Sequence, residues 1–443
     1  MFIKDEVKYR YNYHISPKQG WLNDPNGLCW FKGKYHVFFQ SNPFANQPGK
    51  SYWGHVSSEN LLDWQEEDFA LRPDQDYDCD GCYSGSAIEL NDKLFLMYTG
   101  HQNLSDSYKE SQCLAFSEDG INFQKVSNNP VIENPPEDNT NRFRDPKIWK
   151  NEKNIYAVIG GESKENRGQV NLYRMGETFD NWQYQRKLAI AQKKDGIMWE
   201  CPDYFEIEGD TFLIVSPKGM QDAGINGFAS VYLQGDFGFN QTLEGYELNL
   251  IDLGQDFYAP QTFWDPIEKR RIMFAWFGMP GLQEQELKKQ VGALTLPRVV
   301  KNKNGKLLFA PLPELQQLRT DEKALLPFDT IEDYSEIRMT PLNRHSNFLL
   351  RITSKIEGSS YQISYQDQKI EISFFDSLRN VRQSQKIDKV SELRLFLDSG
   401  LTELFINDGQ HTFTNKCELI GTLVIEISGQ LQVKAYTLRK GIQ

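Results

Sequence analysis

The chain has 443 residues, which is too long for one small core and leads us to expect two domains. Its 39% hydrophobic and 13% aromatic content excludes bulk disorder, and 49 Lys and Arg against 61 Asp and Glu, a net charge of −12, exclude a general nucleic-acid binder. No apolar run approaches the roughly 20 residues of a membrane helix, so no membrane partner is expected.

The N-terminal segment MFIKDEVKYRYNYH lacks an apolar h-region, so we expect no secretory signal and a cytoplasmic protein. The six cysteines are scattered, which fits reduced thiols. Cys79 and Cys82 have CxxC spacing without the second pair that a zinc ribbon needs. The six histidines form no HxxxH or HxH group. We therefore expect no metal and no cofactor.

A turn followed by an apolar, aromatic or β-branched run recurs along the first 280 residues. It reads GKYHVFFQ from Gly33, DKLFLMYTG from Asp92, KNIYAVIGG from Lys153, DTFLIVSPKG from Asp210 and RRIMFAWFG from Arg270, at intervals of 59, 61, 57 and 60. Such runs are too short and too often cut by Gly and Pro for helical repeats. Five near-equal units predict a five-bladed β-propeller. Another strand precedes each run, in NDPNGLCWFK, CYSGSAIEL, RDPKIWK, ECPDYFEIE and YAPQTFWDP. If these are the inner strands, their N-terminal ends share one mouth of a funnel. Asn23, Asp24, Ser84, Arg144, Asp145, Glu200, Asp203, Tyr258 and Gln261 then converge there, and the returning strands add Gln40, His101 and Lys218.

Residues 311–326 carry Leu315 and Leu318 after a proline and read as a linker with a short helix. From 327 to 443, seven short strands (FLLRITSKI, YQISYQ, KIEISFFD, ELRLFLD, LTELFIND, TLVIEISG and LQVKAYTLR) predict a β-sandwich. The expected class is all-β: a propeller over 1–310, then the sandwich. Nothing in the sequence sets an oligomeric state.

Carboxylates from separate blades, placed at controlled distances, suit glycosidic-bond cleavage. One must stay ionised while another holds a proton, and crowding by Asp24, Asp145 and Asp203 is expected to raise the pKa of Glu200. Trp21, Trp30, Trp53, Phe143, Trp199 and Tyr258 suit sugar binding, with Trp53 the best stacking ring.

Three segments, Trp21-Leu22-Asn23-Asp24-Pro25-Asn26-Gly27, Phe143-Arg144-Asp145-Pro146 and Trp199-Glu200-Cys201-Pro202, resemble the hallmark motifs of glycoside hydrolase family 32. The resemblance continues through Phe39-Gln40, Trp53-Gly54-His55, Tyr83-Ser84-Gly85-Ser86, Asp256-Phe257-Tyr258-Ala259-Pro260 and Leu296-Pro297-Arg298. It resumes at Asp398, Glu403, Phe405, Asn407 and Gly409 and so spans essentially the whole chain. It departs in two places: relatives commonly have a Trp near Val291, and an Arg-Ser-Ser where Ser399-Gly400-Leu401 stand here.

The resemblance implies a retaining β-fructofuranosidase with Asp24 as nucleophile, Glu200 as acid/base and Asp145 as transition-state stabiliser, kept ionised by Arg144 or by the sugar. Asn23, Gln40, Trp53, Ser84, Arg144 and Tyr258 would shape the fructose pocket, and Cys201 would be a small buried filler. The expected partner is a small sugar, sucrose 6-phosphate, with sucrose and short fructo-oligosaccharides as the alternative. Lys218, Lys109 and His101 are the candidate phosphate ligands.

Overall fold

The computed structural model describes residues 11–221, 226–235, 242–243, 246–280, 292–343 and 346–441. The N-terminal decapeptide and Val291 lie outside them. Among the described residues, no helix is long and apolar enough to cross a membrane. The class is all-β, as expected. The chain divides into two compact units. One is built from Ser16–Ile251 and Tyr258–Leu294, the other from the described part of Val7–Ile15 with Asp252–Phe257 and Thr295–Gln443.

In the first unit the described residues form five antiparallel sheets. Their first strands are Trp21–Phe31, Gly81–Leu90, Asn139–Asn151, Asp195–Ile207 and Tyr258–Asp265. Each pairs with a second strand: Lys34–Asn42, Lys93–Asn103, Asn154–Ser163, Asp210–Met220 and Arg270–Phe277. All five runs picked out by the repeat fall on these second strands. The first strands pack in cyclic order, with Tyr258–Asp265 returning to Trp21–Phe31.

Successive sheets share apolar cores that account for the aromatic content. Phe38 and Trp53 of the first sheet pack with Leu96 and Tyr98 of the second. Met97 and Leu114 of the second meet Ile148, Ala157 and Tyr173 of the third. Val158 and Leu172 of the third meet Leu213 and Val231 of the fourth.

The second unit holds two six-stranded antiparallel sheets. All seven predicted strands are present. Arg319–Ala324, Thr330–Ile331, Tyr334–Pro341, Asn380–Lys386 and His411–Lys416 join them. Sequence pattern missed most of these because they are short or polar on both faces, as in NVRQSQK. In the predicted linker, one 3-10 stretch, Pro313–Leu318, buries Leu315 and Leu318. Two apolar positions three apart need only that one turn. Arg319–Ala324 is a strand instead of helix, held by Arg319 Nε donating to Glu336 Oε2 at 2.7 Å.

This unit also contains a fully buried ionic cluster. Arg298 donates to Asp252 Oδ2 at 2.8 Å and to Glu403 Oε2 at 2.6 Å. His14 places Nδ1 2.9 Å from Asp398 Oδ2 and Nε2 3.0 Å from Glu403 Oε1. Burial alone would lower the pKa of His14, but the hydrogen bonds to the two carboxylates push it up to about 9. A folded-state value above the unfolded 6.5 stabilises fully below pH 6.5, and that stability is lost as pH rises through about 9. The difference corresponds to about 3 kcal/mol. Between pH 6.5 and 9.5 the urea midpoint should therefore fall more steeply for the native chain than for His14→Gln; equal slopes would contradict the charged state.

Candidate active site

Every first strand of the first unit carries a break in its ladder at the same relative place, and three of them carry a second. The register shifts between Leu22 and Pro25, between Tyr83 and Gly85, opposite Val158 and Gly160, between Glu200 and Asp203, and between Tyr258 and Gln261. Pro25, Pro146, Pro202 and Pro260 mark four of the bulges, because proline has no N–H to give to a ladder. At the fifth bulge is Gly85, where a Cβ would lie 2.0 Å from the Met97 carbonyl oxygen. Asp145, Cys201 and Ala259, each just before a proline, sit at φ of 63°, 48° and 51°. L-residues reach this left-handed region at a cost, and such strain clusters where side chains are re-aimed.

The bulges bring the sequence-predicted residues together. Ser84 Oγ donates to Asp24 Oδ2 at 2.9 Å, and Gln40 Nε2 donates to Ser84 Oγ at 2.8 Å. Ser51 Oγ holds Gln40 through its Oε1 at 3.0 Å. Trp21 Nε1 donates to Asn23 Oδ1 at 2.9 Å, beside Asp24. Tyr258 donates its hydroxyl to Glu200 Oε2 at 2.6 Å, and Arg144 Nη2 donates to Glu200 Oε1. The Cys201 N–H donates to Asp145 Oδ2 at 3.0 Å. Its sulfur is a buried filler between two carboxylates, 3.6 Å from Asp145 Oδ2 and 3.9 Å from Asp24 Oδ2.

Four residues here escaped the sequence reading. Glu110, in the third strand of the second sheet, accepts Arg144 Nη1 on both oxygens at 3.1 Å and the Phe143 N–H at 2.8 Å. Thr99 Oγ1 accepts the Asp145 N–H at 3.0 Å and donates to Gln112 Oε1 at 2.7 Å. Trp276 packs edge-on against Trp21. Only the buried carboxylate in the apolar run YKESQCLAFS left a readable trace.

Other expectations need correction. Trp53 is fully buried, packed on Phe38 and Tyr98, and its Nε1 donates to the Tyr83 carbonyl at 3.1 Å, so no sugar reaches its face. Trp21, Phe143, Trp199 and Tyr258 are likewise buried, because inner-strand rings fill the spaces between sheets. Asp203 leaves the cluster: its Oδ1 pairs with Lys147 at 3.2 Å and its Oδ2 accepts the Thr262 N–H. Lys109 is turned to Glu133 at 2.8 Å, and His101 is stacked on Tyr83 beside Glu110. Lys218 lies over the Phe228 ring, 5.9 Å from its centroid, with its charge felt at Glu200.

The carboxylates differ in proton affinity in a way the crowding argument did not foresee. Burial raises Asp24, opposed by its hydrogen bonds to Asn23 and Ser84. Burial also raises Asp145 to about 7: the Arg144 guanidinium opposes this, while Glu200 and Asp24 add to it. Glu200 goes the other way. Burial would raise it, but the Arg144 charge and the hydrogen bonds from Tyr258 and Arg144 bring it below its ordinary value. The surroundings thus favour the protonated form at the two aspartates and the ionised form at Glu200. Arg144 Nε lies 4.0 Å from Asp145 Oδ2, and its charge offsets only part of the effect of burial there.

Residues 14–311 match the glycosyl hydrolases family 32 N-terminal domain. Sucrose-6-phosphate hydrolase of Bacillus subtilis is 36% identical over 438 residues, which covers 93% of this chain and 89% of that protein. A raffinose invertase of Escherichia coli is 35% identical over 433 residues, covering 91% and 88%. Among solved structures, a family 32 β-fructofuranosidase of Bombyx mori superposes with a TM-score of 0.89 at 34% identity, covering 98% of this chain and 95% of that one.

Proposed function

The chain belongs to glycoside hydrolase family 32, and on that premise we propose that it hydrolyses sucrose 6-phosphate to glucose 6-phosphate and fructose through a covalent fructosyl-enzyme. The β-fructofuranosidase activity follows from the family and the relatives. The observation that carries the mechanism is the meeting of Asp24, Asp145 and Glu200 at bulges on three separate sheets. In fold terms, we read the five cyclically packed sheets as a five-bladed propeller over about residues 1–310 and the two larger sheets as a sandwich over about 327–443.

Asp24, oriented by Ser84, attacks the anomeric carbon of the fructosyl unit while Glu200 protonates the leaving oxygen. Water activated by Glu200 then releases fructose with retention. Asp145 faces the positive charge that develops on the ring. For this, the proton that favours Asp145 in the empty site must lie on Glu200 once the sugar is bound. Fructose hydroxyls donating to Asp145 and drawing on Arg144 would drive that transfer.

Lys218 is the cation that supports phosphate recognition, since its charge is felt at Glu200, the group that protonates the leaving oxygen. Lys109 is already paired with an acid. The decisive measurement is kcat/KM for sucrose 6-phosphate, sucrose and a short inulin-type oligosaccharide. The phosphorylated substrate should lead, and Lys218→Ala should raise its KM about tenfold while leaving sucrose nearly unchanged. Equal effects on both would remove Lys218 from the phosphate subsite, and a preference for free sucrose would overturn the substrate.

A further inference from the structure

We propose that Glu110 is a positioning residue that keeps Glu200 protonatable by engaging Arg144 from the opposite side. This rests on the reading of Glu200 as the general acid. One guanidinium is shared between two carboxylates of different sheets: Nη1 on both oxygens of Glu110, Nη2 on Oε1 of Glu200. A cation on an acid opposes the protonated form that the first step needs. Glu110 returns a full negative charge to the far side of that cation, where little solvent screens it.

Glu110 is held for this purpose and has no exposed surface to serve. It is 3% exposed, in a buried stretch of strand where an unused carboxylate would be costly. The Phe143 N–H fixes Oε2, and His101 Nδ1 lies 3.6 Å from Oε1 with its ring stacked on Tyr83, 4.4 Å between centroids. Around Glu200 the charged and titratable groups are Arg144, Tyr258, Lys218, Cys201, Asp24 and Asp145; around Glu110 they are Arg144, His101 and Tyr83. Lys109, next along the strand, is turned away to Glu133. Arg144 is thus the shared link between the two carboxylates, and neutralising Glu110 leaves its charge to act more strongly on Glu200.

The test is the pH profile of kcat, which reports protonation in the sugar-bound enzyme where Glu200 holds the proton, measured on the full chain with sucrose and sucrose 6-phosphate. In Glu110→Gln the alkaline limb should move to lower pH by about one unit, as removal of one negative charge at short range within a protein implies. Glu110→Asp keeps the charge but withdraws it by a methylene, so it should move the limb the same way by less. It also serves if the Gln variant does not fold. A merely structural role would lower kcat without displacing the limb, so an unmoved limb, or one moved to higher pH, in whichever variant folds overturns the proposal. Failure of the underlying reading is separately visible: an alkaline limb that survives in Glu200→Gln shows that Glu200 is not the acid.

Discussion

Asp24→Asn is expected to lower kcat by at least about 10³ on every fructoside the enzyme accepts, because the amide cannot form the ester on which both steps depend. The geometry makes the substitution a clean one. Asn is isosteric with Asp, and the Ser84 hydroxyl and Cys201 sulfur beside Oδ2 can stay in place. Replacing a buried carboxylate also removes repulsion on Asp145, so the variant should fold at least as stably as the native chain. KM should change far less than kcat, since the pocket keeps its shape. Retention of configuration in the native enzyme, followed by NMR of the released fructose, completes the argument. Near-normal turnover by the variant, or inversion by the native enzyme, would remove Asp24 as nucleophile.

Glu200→Gln should separate substrates by their leaving groups. Positioned proton transfer contributes typically 10²–10⁴. From sucrose and its phosphate the leaving group is a sugar alkoxide, a poor one, so both should lose about 10³ or more. A β-fructofuranoside with an acidic phenol as leaving group needs little protonation, so its first step should be nearly intact. The covalent intermediate should then accumulate as a burst, because the base for the second step is also gone. Tyr258 and Arg144 donate to Glu200 in the native site, and a glutamine oxygen can accept only part of that set. Some loss of order at Arg144 is therefore expected, which is why the contrast between substrates, and not the absolute rate, is the measurement to trust. Equal losses on both leaving groups would reject Glu200 as acid.

Much of this was legible in the chain because local pattern carries it. The 57–61-residue interval marked the five second strands, since each pairs with its own neighbour by a short turn. Asp24, Asp145 and Glu200 were legible because each stands at or beside a residue that precedes a proline, and the bulge those prolines permit recurs in sheet after sheet. What could not be read depends on which face of a strand meets which neighbouring sheet. Trp53 looked like a stacking platform, yet it faces the core shared with Leu96 and Tyr98. Glu110 lies 34 residues before Arg144, and only the register of its sheet places the two together. The sign of the shift at Glu200 was misjudged for the same reason: counting nearby acids overlooked the guanidinium that touches it.

The composition of the second unit has a bearing on how the chain is made. Asp398 accepts the backbone N–H groups of Asn12, Tyr13 and His14. It leaves the ribosome some 384 residues after His14, which at roughly 5–20 residues per second is a wait of about 20–80 s. The five sheets can close in turn as they emerge, but Asn12–His14 wait for Asp398, and Asp252–Phe257, beyond the Arg298 contact, wait for the strand His411–Lys416. The nascent protein must therefore keep Asn12–His14 without their Asp398 contacts through almost the whole of translation. The same arrangement means that a product truncated near residue 390 would carry His14 without Asp398 and Glu403, and would leave Arg298 with Asp252 alone of its two acids.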